Sequence, residues 1–212
     1  MIRTLSLGLA LFALSACGQG EQPAAKVTST PIDGPQIGGP FALVDQHGQA
    51  VTERALVGKP SLVFFGFTYC PEVCPTTLSH MTSWFKQLGP DGDKLNAFYI
   101  TVDPQRDTAK QMKQYLTAFD GRIRGLTGTP DAIAKVAKEY RVYYKRVPLA
   151  NGDYVMDHST MVYMMDATGR FVGPIGYNEP DAQVMPLLRD LVAGRTPTMR
   201  ASTIPAVERS GS

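Results

Sequence analysis

The sequence predicts an α/β protein in which helices cover both faces of a mixed central sheet, with an added hairpin at its N-terminal end. Three observations support this prediction. Apolar runs rich in β-branched and aromatic residues at 61–68 and 95–103 are typical of strands buried in a sheet. Segments with helical periodicity alternate with these runs, as they do in α/β proteins. Turn residues between short strand-like runs near both ends indicate hairpins, so antiparallel strands join the parallel ones.

The first half of this domain is predicted as a hairpin, a strand, a helix and a second strand. Residues 41–52 form the hairpin, closed at a Gly turn, and 61–68 form the first buried strand. From Pro75 the apolar positions recur at spacings of three and four, which indicates a helix ended by Gly89 and the proline after it. The run 95–103 is the next strand. The hairpin is therefore followed by a parallel strand–helix–strand unit.

The second half repeats this alternation and ends in a hairpin and a helix. Asp107 is predicted to cap the next helix, and 122–128 forms a short strand. A Thr-Pro-Asp sequence from Thr129 opens a third helix. Two strands within 159–175 form a hairpin. A last helix follows, and its regular part is predicted to begin at Pro186. The methionine and aromatic stripes of these helices are assigned to the core.

The ends of the chain differ from this domain in composition. Residues 1–16 have the basic start and short apolar run of a signal peptide, too short to span a bilayer as a helix. They run into Cys17 in a sequence that resembles a bacterial lipobox, so lipid is expected on Cys17. The alternative is an ordinary signal peptide with an incidental cysteine. We predict a flexible tether at 17–40, a folded domain at 41–194 and a disordered tail at 195–212.

These features predict a protein that is lipid-anchored to a membrane, on the periplasmic side of a bacterial cell envelope. Its charge suggests no nucleic-acid partner, because 21 basic and 19 acidic residues are distributed without a basic stripe. No phosphate loop and no serine-type triad is recognised in the sequence. With Cys17 assigned to lipidation, only Cys70 and Cys74 remain of the three cysteines, so the protein is not a disulfide-stapled scaffold.

Cys70 and Cys74 are predicted at the carboxyl end of the first buried strand, where the following helix begins. Unpaired amides and the helix dipole favour thiolate over thiol there, an arrangement similar to that of thioredoxin-like proteins. Three residues separate the cysteines, one more than in thioredoxins. A regular helix places Cβ atoms four residues apart at about 5–6 Å, whereas a relaxed disulfide needs about 3.5–4.5 Å. The spacing therefore favours two thiolates around a metal, although a redox disulfide stays open.

A third ligand must then come from one of three histidines. His47 lies in a Gly turn and is most simply a solvated loop residue. His80 follows Cys74 by six positions, about 240° around the helix, and cannot face the same ion. His158 precedes a hairpin strand, in the loop that a thioredoxin-like chain brings to the cysteine edge. We therefore predict Cys70, Cys74 and His158 as ligands of one metal ion; the alternative for His158 is a surface residue.

Four motifs together resemble the Sco/SenC family of thioredoxin-like copper proteins, which help to assemble the dinuclear copper site of cytochrome c oxidase. They are TYCPEVCPTTL, YITVDPQRDT, GLTGTPDAI and VMDHSTMVYMMD, in that order along the domain. The resemblance implies that Cys70, Cys74 and His158 bind copper, as Cu(I) and Cu(II). It also implies that Asp103 influences the copper site from nearby; the alternative is a turn or cap residue. The sequence leaves open whether Asp157 or Asp103 orients the imidazole.

The resemblance implies a copper chaperone whose partner is the copper-receiving subunit of cytochrome c oxidase. Other periplasmic copper carriers or thiol reductases are further expected partners. Many relatives carry a transmembrane helix, and this chain departs from them by its lipobox. One alternative function is a thiol–disulfide oxidoreductase that keeps client cysteines reduced. A binding module in which Cys70 and Cys74 form a structural disulfide is the other.

Overall fold

A computed structural model describes residues 36–199 as nine strands and four helices. The strands are β1 Ala42–Asp45, β2 Ala50–Thr52, β3 Ser61–Gly66, β4 Asn96–Thr101, β5 Ile123–Thr127, β6 Tyr144–Pro148, β7 Tyr154–His158, β8 Val162–Met165 and β9 Phe171–Ile175. The helices are α1 Val73–Leu88, α2 Ala109–Leu116, α3 Pro130–Glu139 and α4 Asp181–Val192. Short 3-10 segments follow β2 and α1.

Seven strands form one mixed sheet in the order β2-β1-β5-β4-β3-β8-β9. Strands β3, β4 and β5 are parallel, and β8, β9, β1 and β2 join them as antiparallel strands. All six residues of β3 are buried, because the strand lies between β4 and β8 and is covered on both faces. The apolar run at 61–68 therefore predicted a central strand correctly.

Aromatic contacts show that helices cover both faces of this sheet. On one face Phe64 stacks on Tyr99, and Tyr99 stacks on Tyr115 of α2, with ring centroids 5.7 and 6.0 Å apart. On the other face Phe65 contacts Tyr140, the residue that follows α3, at 5.3 Å. Strand side chains alternate between faces, so neighbouring Phe64 and Phe65 pack against different helices. The predicted mixed sheet between two helical layers, with its N-terminal hairpin, is confirmed.

One hairpin was not predicted from the sequence. Strands β6 and β7 pair antiparallel as a separate two-stranded sheet, and His158 is the last residue of β7 rather than part of a loop. Exposed charged side chains such as Lys145, Arg146 and Asp157 lie on these strands. Periodicity misses the hairpin because it contains no continuous apolar run.

Two helix starts also differ from the prediction. Helix α4 begins at Asp181, and Pro186 lies inside it. The Asp181 carboxylate ties this start to α1, since it accepts hydrogen bonds from Trp84 at 2.8 Å and from Gln87 at 2.7 Å. The cap of α2 is Thr108 rather than Asp107, since the Thr108 hydroxyl accepts from an amide of the first turn. The contacts of Asp181 lie far along the chain, whereas the cap of α2 is decided between two neighbouring polar residues.

The predicted signal peptide, the lipidation site Cys17 and most of the tether and tail lie outside the described residues. At the described ends, the Gly38 amide donates to the Glu139 carbonyl, and Met199 lies against Gly173. The predicted boundaries at 40 and 194 stay predictions, and a few residues beyond each contact the domain. Within 36–199, no helix has both the length and the apolar character needed to cross a membrane.

Candidate metal site

The two cysteines lie where β3 gives way to α1. Cys70 is partly exposed in the turn before α1, and Cys74 is fully buried in the first turn of the helix. The Cys74 amide donates to the Cys70 sulfur at 3.3 Å. This sulfur thus accepts from a helix-terminal amide, as an N-cap oxygen usually does, and Glu72 at the cap position provides no side-chain bond.

His158 reaches this sulfur pair from the end of β7. This residue is only 9% exposed, and its Nε2 lies 3.7 Å from the Cys74 sulfur. The ligand atoms of Cys70, Cys74 and His158 all lie within 4.8 Å of one another. The structure therefore brings together the three side chains that the sequence analysis selected from distant parts of the chain.

The imidazole is oriented by a backbone carbonyl. His158 Nδ1 lies 2.7 Å from the Ser159 carbonyl oxygen, which can only accept, so Nδ1 carries the proton. The Nε2 lone pair is then directed at the sulfurs, ready to bind a metal. Phe67 packs against the ring edge-on, with centroids 5.7 Å apart. The orienting group is thus neither Asp157 nor Asp103, the two residues that the sequence left open.

The two thiols differ strongly in acidity. The hydrogen bond from the Cys74 thiol is the largest effect on Cys70. Together with the bond from the Cys74 amide, it outweighs burial and lowers the pKa of Cys70 to about 4. The same bond to Cys70, followed by burial, raises the pKa of Cys74 far above its ordinary value. The pair therefore holds one thiolate and one proton at neutral pH, and a metal ion must displace that proton to bind both sulfurs.

A glycine and a tyrosine form the floor of this site. A Cβ atom on Gly66 would lie 2.6 Å from the Cys74 sulfur and 2.9 Å from the Tyr99 hydroxyl oxygen. Both contacts are too short for a real side chain, so only glycine leaves room for the buried sulfur at the end of β3. The Tyr99 side chain is fully buried, and burial raises its pKa well above the usual range. Neither residue stands out in the sequence as part of a site, because a strand glycine carries no periodic signal and a strand tyrosine is typical of the core.

Asp103 contacts the hairpin that carries His158, through other side chains. Its carboxylate accepts from Arg106 Nε at 2.5 Å and from the Tyr154 hydroxyl at 2.9 Å. Arg106 in turn donates to the Tyr154 carbonyl at 3.0 Å. The implied influence of Asp103 on the copper site stays a prediction. These contacts connect Asp103 to β7, the strand that ends in His158.

Asp107 is fully buried and joins several segments near the turn that carries Cys70. Its carboxylate accepts from the Thr68 amide at 3.0 Å, from the Thr68 hydroxyl at 2.6 Å and from the Thr101 hydroxyl at 2.6 Å. Its backbone carbonyl accepts from Thr127 at 2.7 Å. The ends of β4 and β5 are thereby tied to the segment that leads to Cys70.

The other two histidines are placed elsewhere, as expected. His47 is exposed in the turn between β1 and β2. His80 lies on α1, where its ring stacks near Trp84 and its Nδ1 is 4.0 Å from an Asp181 oxygen. Among the residues that the structure describes, Cys70, Cys74 and His158 are the one group of three or more candidate ligands.

Two thiolates and a neutral imidazole fit a soft or borderline metal ion. Metal–sulfur bonds of about 2.3 Å let two ligating sulfurs lie up to almost twice that far apart, so separations within 4.8 Å require only a small contraction. Cu(I) and Zn²⁺ both accept such ligands. The fold and site together define a thioredoxin-like protein with a metal-competent pair of cysteines.

The chain belongs to the SCO1/SenC family, whose model matches residues 29–193. The mitochondrial protein SCO1 of Saccharomyces cerevisiae is 42% identical over 147 residues, which cover 68% of this chain and 50% of that protein. An SCO2-like protein of Rickettsia conorii is 35% identical over 193 residues, covering 90% of this chain and 94% of the relative. The chain thus spans about half the length of the yeast relative and nearly all of the rickettsial one.

A solved structure shows the same fold. The structure of Bradyrhizobium japonicum ScoI with copper bound has 50% sequence identity and a TM-score of 0.69, and the match covers 73% of this chain and 99% of that one. The family resemblance read from the four motifs is confirmed, as is the thioredoxin-like fold.

Proposed function

We propose that this protein is a copper chaperone that binds copper through Cys70, Cys74 and His158 and transfers it during assembly of the dinuclear copper site of cytochrome c oxidase. The observation that carries the proposal is the convergence of these three ligand atoms within 4.8 Å of one another. Family membership and the copper-bound ScoI structure support copper as the metal. The oxidase partner rests on the family resemblance.

The ligand set suits an ion that is to be passed on. Two thiolates satisfy Cu(I), and the imidazole adds the nitrogen donor that Cu(II) needs. Three protein ligands leave the coordination open to an incoming group from the partner. Cys70 is the more exposed sulfur and carries the lower pKa, so it is the ligand best placed to exchange first.

Copper titration of ligand variants tests the proposal. The reduced protein is titrated anaerobically with Cu(I) and then with Cu(II), alongside Cys70→Ser, Cys74→Ser and His158→Ala. We expect one copper per chain, loss of tight binding of both ions in each cysteine variant, and loss of tight Cu(II) binding in His158→Ala. Full copper affinity in His158→Ala would contradict the assignment of the third ligand.

We also propose that the protein works while lipid-anchored to a bacterial membrane, on the periplasmic side. The support is the lipobox-like sequence that ends at Cys17. A Cys17→Ser variant should move from the membrane fraction to the soluble fraction and lose incorporation of labelled fatty acid. Unchanged membrane retention in that variant would exclude Cys17 as the anchor.

Thiol–disulfide exchange is the second candidate, because the pair has one acidic, partly exposed thiol and one buried thiol. The Cys70 thiolate attacks a client disulfide, forms a mixed disulfide and releases one client thiolate. Cys74 loses its proton, attacks Cys70 and releases the second client thiolate. The client gains two electrons, which this protein loses as the Cys70–Cys74 disulfide forms. His158→Ala should preserve this exchange, so the variant separates the two functions.

The structural-disulfide alternative has no support in the structure, since Cys70 and Cys74 are free thiols. Thiol counting with and without reductant tests it directly. Two thiols accessible to reagent only after mild reduction, together with no copper uptake, would favour that alternative over both proposals above.

A further inference from the structure

We propose that Tyr154 is a positioning residue. It holds the β6–β7 hairpin against the segment between β3 and α1 that carries the two cysteines, so that His158 is preorganised as a ligand. Tyr154 would thereby set the retention of Cu(II) and leave Cu(I) binding nearly unchanged. This inference rests on the proposed copper-binding function and adds residues that act through His158. Arg106 and Asp103 complete the group, which we call the Tyr154 clamp.

The need for a clamp follows from the topology. The hairpin forms its own two-stranded sheet, and in residues 36–199 it has no hydrogen-bonded ladder to the seven-stranded sheet. The position of His158 therefore depends on side-chain contacts. Residues 154 and 158 point to the same face of β7, because strand side chains alternate. A contact at Tyr154 therefore holds in place the same face of β7 that carries the His158 imidazole.

Tyr154 is held by contacts at its ring, its hydroxyl and its carbonyl. Its ring lies between two guanidinium groups, with the Arg106 Cζ at 3.7 Å and the Arg146 Cζ at 3.6 Å from the centroid. Its hydroxyl donates to Asp103 at 2.9 Å, and its carbonyl accepts from Arg106 at 3.0 Å. Stacking of an arginine guanidinium on a tyrosine ring is attractive even at exposed sites.

Arg106 links the hairpin to the cysteine side of the site. Besides Tyr154, its guanidinium lies 4.7 Å from the Tyr69 ring centroid and 5.9 Å from that of Phe67. Tyr69 directly precedes Cys70, and Phe67 packs edge-on against the His158 ring. One side chain therefore contacts the aromatic neighbours of both the thiols and the imidazole, and Asp103 fixes that side chain through its Nε.

The two copper oxidation states respond differently to a loosened hairpin. Cu(I) is satisfied by two thiolates, both of which lie outside the hairpin, whereas Cu(II) needs the imidazole nitrogen. If loss of the clamp lowers the ligand-competent fraction of the hairpin to about a tenth, the dissociation constant for Cu(II) rises about tenfold. Replacing outer partners of metal ligands typically costs about 10–100-fold in affinity, so this change is of the expected size.

The test compares graded variants with a matched control. Tyr154→Leu removes both ring and hydroxyl, Tyr154→Phe removes only the hydroxyl, and Tyr143→Phe alters a tyrosine that is 54% exposed near the same hairpin. We expect Tyr154→Leu to bind Cu(II) about tenfold more weakly, with a weaker sulfur-to-Cu(II) charge-transfer band. Tyr154→Phe should show a smaller loss in the same direction, and Tyr143→Phe should match the wild type. Cu(I) affinity should stay within about twofold throughout.

Hydrogen–deuterium exchange of the metal-free proteins gives an independent readout. The amides of β7 should exchange faster in Tyr154→Leu than in the wild type, while those of β3 and β4 keep their protection. Wild-type Cu(II) affinity and β7 exchange in Tyr154→Leu would overturn the inference. Equal weakening of Cu(I) and Cu(II) would overturn it too, because the effect would then be general. Failure of the proposed function is recognised separately, as a wild type that binds Cu(II) no better than His158→Ala.

Discussion

At the scale of single residues, the unequal acidity of Cys70 and Cys74 follows from their positions. Cys70 accepts hydrogen bonds from Cys74 and from a helix-terminal amide while remaining partly exposed, which favours its thiolate. Cys74 is fully buried and donates to that thiolate, which favours its protonated form. One sulfur is therefore ready to react, and the other becomes a ligand only when a metal or a disulfide removes its proton.

The first prediction concerns alkylation of the reduced, metal-free protein. With its pKa lowered from 9.0 to about 4, Cys70 stays a thiolate between pH 8 and pH 6, and its rate with iodoacetamide should change little over that range. The rate should fall only as the pH approaches about 4. The alkylation rate of Cys70 is measured by quenching the reaction at each pH and quantifying the modified peptide by mass spectrometry. Cys74 should stay unmodified.

The control for this prediction is Cys74→Ala, which removes the thiol that donates to Cys70. The pKa of Cys70 should rise in this variant, and alkylation should begin to slow at a higher pH. A wild-type rate that drops about tenfold per pH unit from pH 8 downward would mean an ordinary thiol and contradict the assignment.

The second prediction concerns Gly66→Ala. The added methyl group would lie 2.6 Å from the buried Cys74 sulfur, in a central strand that cannot easily move. Overpacking of this kind costs about 1–3 kcal/mol, and displacement of the sulfur should also weaken copper binding. Urea unfolding and Cu(I) titration measure the two effects. Gly121→Ala is the matched control, since a Cβ there meets nothing within 4 Å; equal behaviour of the two variants would refute the packing argument.

At the scale of elements, the sequence predicts those that carry a strong periodic signal. Strands β3 and β4 and helix α1 were placed correctly because buried strands and amphipathic helices leave clear apolar patterns. The β6–β7 hairpin has a polar, half-exposed pattern that turns and loops share. The start of α4 at Asp181 and the cap at Thr108 depend on partners far along the chain or on competition between neighbouring polar residues.

The third prediction concerns the junction that Asp107 forms between elements. Asp107→Ala leaves the Thr68 amide and the Thr101 hydroxyl without their acceptor, which costs about 1–3 kcal/mol for each buried group left unpaired. Asp107→Asn retains one acceptor oxygen for both groups, so we expect a loss below about 1 kcal/mol. Urea denaturation of both variants measures the difference, and equal losses would show that the carboxylate oxygens are not the cause.

The titration of Asp107 adds a pH dependence with a defined sign. Burial raises its pKa in the folded protein above 3.8, its ordinary value. The folded state therefore binds this proton more tightly than the unfolded state does, and protonation of Asp107 favours folding as the pH falls through the raised pKa. The stability advantage of the wild type over Asp107→Asn should accordingly grow toward acid pH, because only the wild type gains from protonation of this group. A wild type that loses stability relative to Asp107→Asn on acidification would contradict this sign.

At the scale of the whole molecule, the candidate site is assembled from two distant parts of the chain, the turn with Cys70 and Cys74 and the end of β7 with His158. The order of the sheet places β3 beside β8, so the turn that carries Cys70 lies near the chain that enters β8 from His158. Ligand chemistry and elimination were enough to select Cys70, Cys74 and His158 from the sequence. Gly66, Ser159 and Tyr154 could not be selected in that way, because their roles depend on distances that only the folded chain defines.

The last prediction is that copper joins the hairpin to the main sheet. A metal held by two sulfurs beside β3 and by an imidazole on β7 links elements that share no hydrogen-bonded ladder within 36–199. Cu(II) at about 100 times its dissociation constant should stabilise the fold by about 2.7 kcal/mol, seen as a higher Tm that a chelator reverses. Copper should also slow exchange of the β7 amides and leave those of the distant β1–β2 hairpin unchanged. In His158→Ala this protection of β7 should vanish even where Cu(I) is still bound, because the link itself has been removed. Protection that persists in that variant would show that the hairpin is fixed without the metal, and that copper binds to the cysteine side alone.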